Sequence, residues 1–236
     1  MVASYGNRDD KMYLNWVKES PGSVSLVSTT PLEQHFDVVA CCDWDWNQST
    51  FVAFGGKDGL VSLWRVQAKR QQTSRLLFLH ANDAPPDTTL EHLFTGFKAG
   101  IESVCVDASN ALLFTVDTTE TLYIHSIDSG ASLWMVELKP LLLPLAHASC
   151  KHVHTVAMAS NGRGDCFVLV RFKTDSKVKH ALFLVHCNGV VVAQCLIEEE
   201  TLLPQLLVCR DGDHFLYCRK NGICVGSVMA DMTVEV

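Results

Sequence analysis

Several places in this 236-residue chain carry residue types whose spacing could do chemistry. Cys150, His152 and His154 alternate, so on an extended strand they would share one face and could offer sulfur and imidazole to a zinc ion. Zinc takes four such ligands, or three and a water, and no second cluster supplies the fourth at a readable spacing. The plainer reading is a set of polar residues at the mouth of a sheet, so neither a metal nor another cofactor is expected. His186 and Cys187 are neighbours, which on a strand sends their side chains to opposite faces and spoils a nucleophile and base pair. Carboxylates cluster at Asp43 and Asp45 and at Glu198 to Glu200, but in turn-like, solvated settings. There is no G-x-S-x-G elbow, and the glycine-rich NGRG at 161–164 precedes a strand, so no helix N-terminus waits there for a phosphate. Catalysis is therefore not expected.

The elements that must position these residues are strands. The segment FVAFGGKDGLVSLWRV at 51–66 reads as a hairpin, two apolar runs around a Lys57-Asp58-Gly59 turn whose Asp and Gly tolerate left-handed dihedrals. Its second run puts Leu60, Ser62 and Trp64 on one face and Val61, Leu63 and Arg65 on the other. A strand that is apolar on both faces must lie between two layers. No long window shows the 3.6-residue helical period, which argues against alternating helices and strands.

Composition supports a packed interior: 48% of the residues are hydrophobic and 19% charged, with a mean hydropathy of +0.15. The start of the chain lacks the apolar segment of a signal peptide, and its greasiest run, 138–146, is short and broken by Pro140 and Pro144. Neither secretion nor direct membrane insertion is expected. Ten cysteines fall largely inside strand-like runs with no C-x-x-C pair, which fits reduced thiols and a cytoplasmic setting. The formal charge of −7 and the lack of a basic stripe argue against nucleic acid as a partner.

The strand pattern repeats. Candidate units occupy 11–29, 38–80, 101–138, 154–196 and 205–236, the first and last being partial and a proline-containing linker at 81–89 closing the second. The second strand of each later unit begins at Phe51, Leu112, Phe167 and Phe215, giving spacings of 61, 55 and 48 residues. Four short strands per unit at roughly 40 to 50 residues is the pattern of a β-propeller blade. The expectation is an all-β protein, an incomplete propeller of about four to five four-stranded antiparallel blades.

TPLEQHFDVVACCDW followed by FVAFGGKDGLVSLWRV resembles a WD40 repeat. His35 stands where that family's Gly-His precedes the innermost strand, Asp58-Gly59 matches its turn, and Trp64-Arg65 takes the place of Trp-Asp. The resemblance implies a hydrogen-bonded set tying the blade together through His35, Asp58, Gly59 and Trp64. The residues where a hydroxyl belongs are Phe54 and Gly56, which leaves that set incomplete. The next unit is a degenerate copy, with Gly96-Phe97, Thr119-Glu120 and His125-Ser126 at the corresponding places. Most of the chain, from HFDVVACCDW through TLYIHSI to HCNGVVVAQCL, is similar to the C-terminal propeller of BEACH-domain proteins, the neurobeachin and lysosomal-trafficking-regulator group.

The resemblance implies a fragment of a seven-bladed ring within a larger polypeptide, a scaffold in vesicle or endolysosomal traffic. Such a module binds other proteins and approaches endomembranes only peripherally, through its parent. Asp43, Trp44, Asp45 and Trp46, two acids alternating with two tryptophans at the end of an inner strand, are the candidate protein-binding residues. The readings held beside this one are an adaptor of another cytosolic complex and a propeller enzyme with a site in its central channel. Against the enzyme, the innermost strands offer Val38, Val104 and Val156 where convergent acids or histidines would be needed.

Overall fold

Short β-branched and aromatic runs separated by turn residues make each stretch of the chain fold back on itself as an antiparallel meander. The computed structural model describes residues 2–5, 12–20, 23–44, 50–67, 87–146, 150–175, 177–197, 202–209, 212–219, 222–228 and 234–235. Val2–Tyr5 (β1), Met12–Ser20 (β2) and Ser23–Leu32 (β3) form a three-stranded sheet. Val39–Trp44 (β4), Phe51–Gly56 (β5), Val61–Gln67 (β6) and Asp87–Phe94 (β7) form the second sheet. Ile101–Asp107 (β8), Leu112–Asp117 (β9), Thr121–Ser126 (β10) and Ser132–Glu137 (β11) form the third. A helix, Leu138–Ala146 (α1), leads on to the fourth, made of Lys151–Ser160 (β12), Asp165–Lys173 (β13), Val178–His186 (β14) and Val191–Ile197 (β15). Leu202–Val208 (β16), His214–Arg219 (β17), Gly222–Val228 (β18) and Val234–Glu235 (β19) form the fifth.

The sheets share cores strictly with their neighbours. Met12, Leu14 and Leu32 of the first sheet meet Val52, Phe54 and Trp64 of the second. Phe51, Ala53 and Leu63, on the opposite face of that second sheet, meet Val104, Val106 and Leu113 of the third. Phe114, Leu122 and Ile124 then meet Val168, Phe172 and Phe183 of the fourth, whose other face sets Phe167, Leu169 and Leu184 against Leu206, Phe215 and Tyr217 of the fifth. Successive residues of one strand therefore serve different cores, which is why β5 and β9 are buried at every position. The chain is all-β in the layered sense that two-sided apolar strands require.

Several sequence boundaries shift. The strand that completes the second sheet is β7 at Asp87–Phe94, paired along β6, so part of the expected 81–89 linker is strand. The 74–80 run lies outside the described residues. The fifth sheet has four strands rather than a partial set, and β1 precedes the hairpin expected to open the first. The 138–146 run is helical despite its prolines. Leu138 and Leu142, one turn apart, are fully buried against the core between the third and fourth sheets, and that burial outweighs the cost of Pro144 inside the helix.

Candidate functional site

The first strands of successive sheets, β4, β8, β12 and β16, lie next to one another in that order, and their last residues line one cleft. There Asp43 on β4 accepts a 2.7 Å hydrogen bond from the backbone N–H of Val106 on β8. Asp107, at the end of β8, is buried, caps the turn at Asn110 and accepts from the N–H of Gly164 in the fourth sheet at 3.3 Å. Acids at the ends of inner strands thus hold the next sheet in place. A cleft of about 450 Å³ opens at this rim, lined by Asp43, Trp44, Asp107, Met158, Ser160 and Leu207 among others, so four sheets contribute to it. Of the four candidate binding residues, Asp43 has an oxygen committed to the backbone, and Trp44 packs on the core between the first two sheets while also reaching the cleft. Asp45 and Trp46 lie outside the described residues.

His35, Asp58 and Ser62 come together. His35 Nδ1 stands 3.1 Å from both oxygens of Asp58, and its Nε2 lies 3.0 Å from the hydroxyl of Ser62. A hydroxyl does join the set, from β6 after the turn and not from Phe54 or Gly56. Asp58 also takes the N–H groups of Leu60 and Phe36, and Gly59 supplies the left-handed turn residue at φ 72°. Trp64 is buried, but its Nε1 finds no partner among the described residues. Gly56 is required because a Cβ there would overlap Asp58 Oδ1 and His35 Nδ1.

The third sheet solves the same problem with other residues. Val39 pairs with Gly56 as Ile101 pairs with Asp117, which sets Asp117 where Gly56 stands and Tyr123 where Ser62 stands. Phe97 takes the place of His35 and packs edge-on against Tyr123 at 4.9 Å, while the Tyr123 hydroxyl donates to Asp117 at 3.0 Å. His125, in the Trp64 position, is buried among Phe94, Phe97 and Tyr123, with Thr115 Oγ1 3.5 Å from its Nε2. Burial holds its imidazole down at about 4.

Cys150, His152 and His154 do not gather on one face. His152 adopts a left-handed backbone at φ 49°, and the pairing of β12 with β13 slips between Lys151 and His154, so the two-residue alternation fails. Cys150 is buried in the core between the third and fourth sheets, whereas His154 points to Glu102 on β8, with Nδ1 3.3 Å from Oε1. Glu102, Glu120 and His154 form a cluster whose ligating atoms all lie within 4.8 Å of one another. Glu120 is 4% exposed in the turn after β9, and burial together with the adjoining Glu102 pushes its carboxyl up to about 8. No sequence spacing announces this cluster, because three different turns and strands contribute.

Cys187 and His186 also depart from expectation. Cys187 leaves β14 into a turn, and its Sγ swings back to 3.6 Å from His186 Nε2, while His186 Nδ1 is 2.5 Å from Asp165 Oδ1. An acid, an imidazole and a thiol thus stand in line, outside the rim cleft. All ten cysteines are free, and burial pushes Cys195 up to about 11, well away from a reactive thiolate. Glu198 to Glu200 lie outside the described residues, and the 161–164 loop turns through glycines at φ 70° and 91° into β13.

No protein-family description matches the chain, and no curated protein does. Among solved structures, a computationally designed protein, Ika4, is similar, with a TM-score of 0.51 and 13% identity over 84% of this chain and 96% of that one. That likeness is of fold alone. Among the described residues no helix is long and apolar enough to cross a membrane.

Proposed function

We propose that this chain is part of a WD40-type β-propeller, an incomplete set of blades within a larger BEACH-type polypeptide, and that it serves membrane traffic as a non-catalytic scaffold for other proteins. The observation carrying this reading is the rim cleft, whose lining comes from four successive sheets. A surface assembled this way recognises shape without needing a reactive group. The His35–Asp58–Ser62 set supports the WD40 part of the reading, since it ties the strand entry, the turn and the third strand of one sheet. Because one oxygen of Asp43 is held by Val106, recognition at the rim falls to Trp44, Met158 and the 63% exposed Leu207, a surface suited to an apolar-tipped loop or peptide.

The test is selection of peptides from a displayed library by the purified chain. One sequence class should be enriched, and Leu207→Arg and Met158→Arg should each abolish its binding while leaving the folded circular dichroism spectrum intact. Enrichment that survives both substitutions, or none at all, refutes the scaffold surface. The alignment of Asp165, His186 and Cys187 favours a second reading, thiol chemistry. Alkylation of Cys187 by iodoacetamide discriminates: a rate at neutral pH far above that of a free thiol, lost in His186→Ala, supports the catalytic reading, and an ordinary rate excludes it.

A further inference from the structure

Glu102 and Glu120 each spend one carboxylate oxygen on the same residue of the neighbouring sheet. Thr155 donates its backbone N–H to Glu102 Oε2 and its hydroxyl to Glu120 Oε2, both at 3.1 Å. The second oxygens are left over. Glu102 Oε1 faces His154 Nδ1, and Glu120 Oε1 is buried with no hydrogen-bond partner among the described residues. A buried carboxylate oxygen without a donor is costly, and here the adjoining group is another acceptor. A proton shared with Glu102, or a cation held between the two acids, would relieve that cost.

We propose that Glu102, Glu120 and His154 form a divalent-cation site, suited to zinc, that clasps the third sheet to the fourth. Two carboxylates and one imidazole with an open fourth position for water match the ligand count and donor types of a zinc centre. Thr155 acts as the outer partner, fixing one oxygen of each acid so that the other points inward. Tetrahedral bonds of about 2.0 to 2.2 Å require donors about 3.3 Å apart. His154 Nδ1 and Glu102 Oε1 already stand 3.3 Å apart, and the remaining separations, within 4.8 Å, require a closure of at most about 1.5 Å. Magnesium, which favours oxygen donors and holds its waters, should bind far less well. The site lies in the third and fourth sheets, apart from the residues that line the rim cleft, and does not depend on the scaffold reading.

The test uses the full chain, stripped with a chelator and titrated with zinc chloride, then with magnesium chloride. Calorimetry should show one zinc per chain and thermal melting an upward shift, with magnesium producing neither. His154→Ala, an exposed position, and Glu120→Gln, which keeps the shape and removes a charge, should each weaken zinc binding at least about tenfold and abolish the melting shift. Cobalt then reports the donors. Nitrogen and oxygen ligation lacks the thiolate charge-transfer band, and its appearance would place the metal on the cysteines and overturn the proposal. Failure to bind zinc, or binding indifferent to both substitutions, overturns it equally and would leave the two acids sharing a proton instead.

Discussion

Protonating His125 should loosen the protein in acid. The imidazole is 3% exposed, its Nδ1 is buried without a partner among the described residues, and Phe94 and Phe97 stand 4.8 and 5.4 Å away, ring to ring. A cation there would gain some attraction from the aromatic faces, on the order of 0.5 to 2 kcal/mol, but would lose more through desolvation. The folded-state value is depressed from 6.5 to about 4. The contribution is therefore fully present above the unfolded value and is lost as pH falls through about 4, because the unfolded chain then binds a proton that the folded chain resists. Two to three pH units correspond to ~3 kcal/mol, a large share of the stability of a small domain. Denaturant midpoints measured from pH 7 down to pH 4 should show this loss in the parent, and His125→Phe should flatten that part of the curve. An imidazole seen by NMR to titrate near the ordinary histidine value, or an acid limb unchanged by the substitution, would refute the reasoning.

Gly56→Ala should cost about 1 to 3 kcal/mol, because the added methyl collides with Asp58 and His35, whereas Gly222→Ala, with nothing within 4 Å, should cost much less; urea midpoints compare them. Phe114→Ala, fully buried between the third and fourth sheets, should lose about 3 to 5 kcal/mol in the same assay. Arg65→Met breaks a two-pronged contact with Glu91 and a guanidinium stacked 4.6 Å over Phe51, yet both charged groups are partly exposed, so the loss should stay within about 1 kcal/mol. In the metal-free chain the raised value of Glu120 adds stability that is complete below the ordinary carboxyl range and is lost as pH climbs through about 8. Melting temperatures from pH 6 to 9 should fall in the parent and stay level in Glu120→Gln.

Two-sided hydrophobicity made the layered architecture legible, since a run such as FVAF has no polar face to give to water. Polar partnerships were less visible. Ser62 is hard to read from the pattern because it lies two positions into the strand after the turn, yet it reaches the same loop. β7 gives little signal because DTTLEHLF has mixed burial and weak alternation, and a greasier segment nearby outcompetes it on pattern alone. The Glu102, Glu120 and His154 cluster is assembled from a strand start, a turn and a bulged strand of the next sheet, so proximity there is a product of sheet packing and has no linear signature. The alternation that groups Cys150 with His154 holds only on a regular strand, and it breaks at the left-handed His152.

Because Phe51 and Ala53 answer to one interior while Val52 and Phe54 answer to another, inserting or deleting a single residue within such a strand would invert its allegiance and ruin two interiors at once. Changes of length are therefore absorbed at the bends, or inside a strand only where a bulge takes up the extra residue, as between Val39 and Cys41. The uneven spacing of the units follows from this: the joints of the chain differ in length from unit to unit, while β5 and β9, buried at every position, keep 6 residues each.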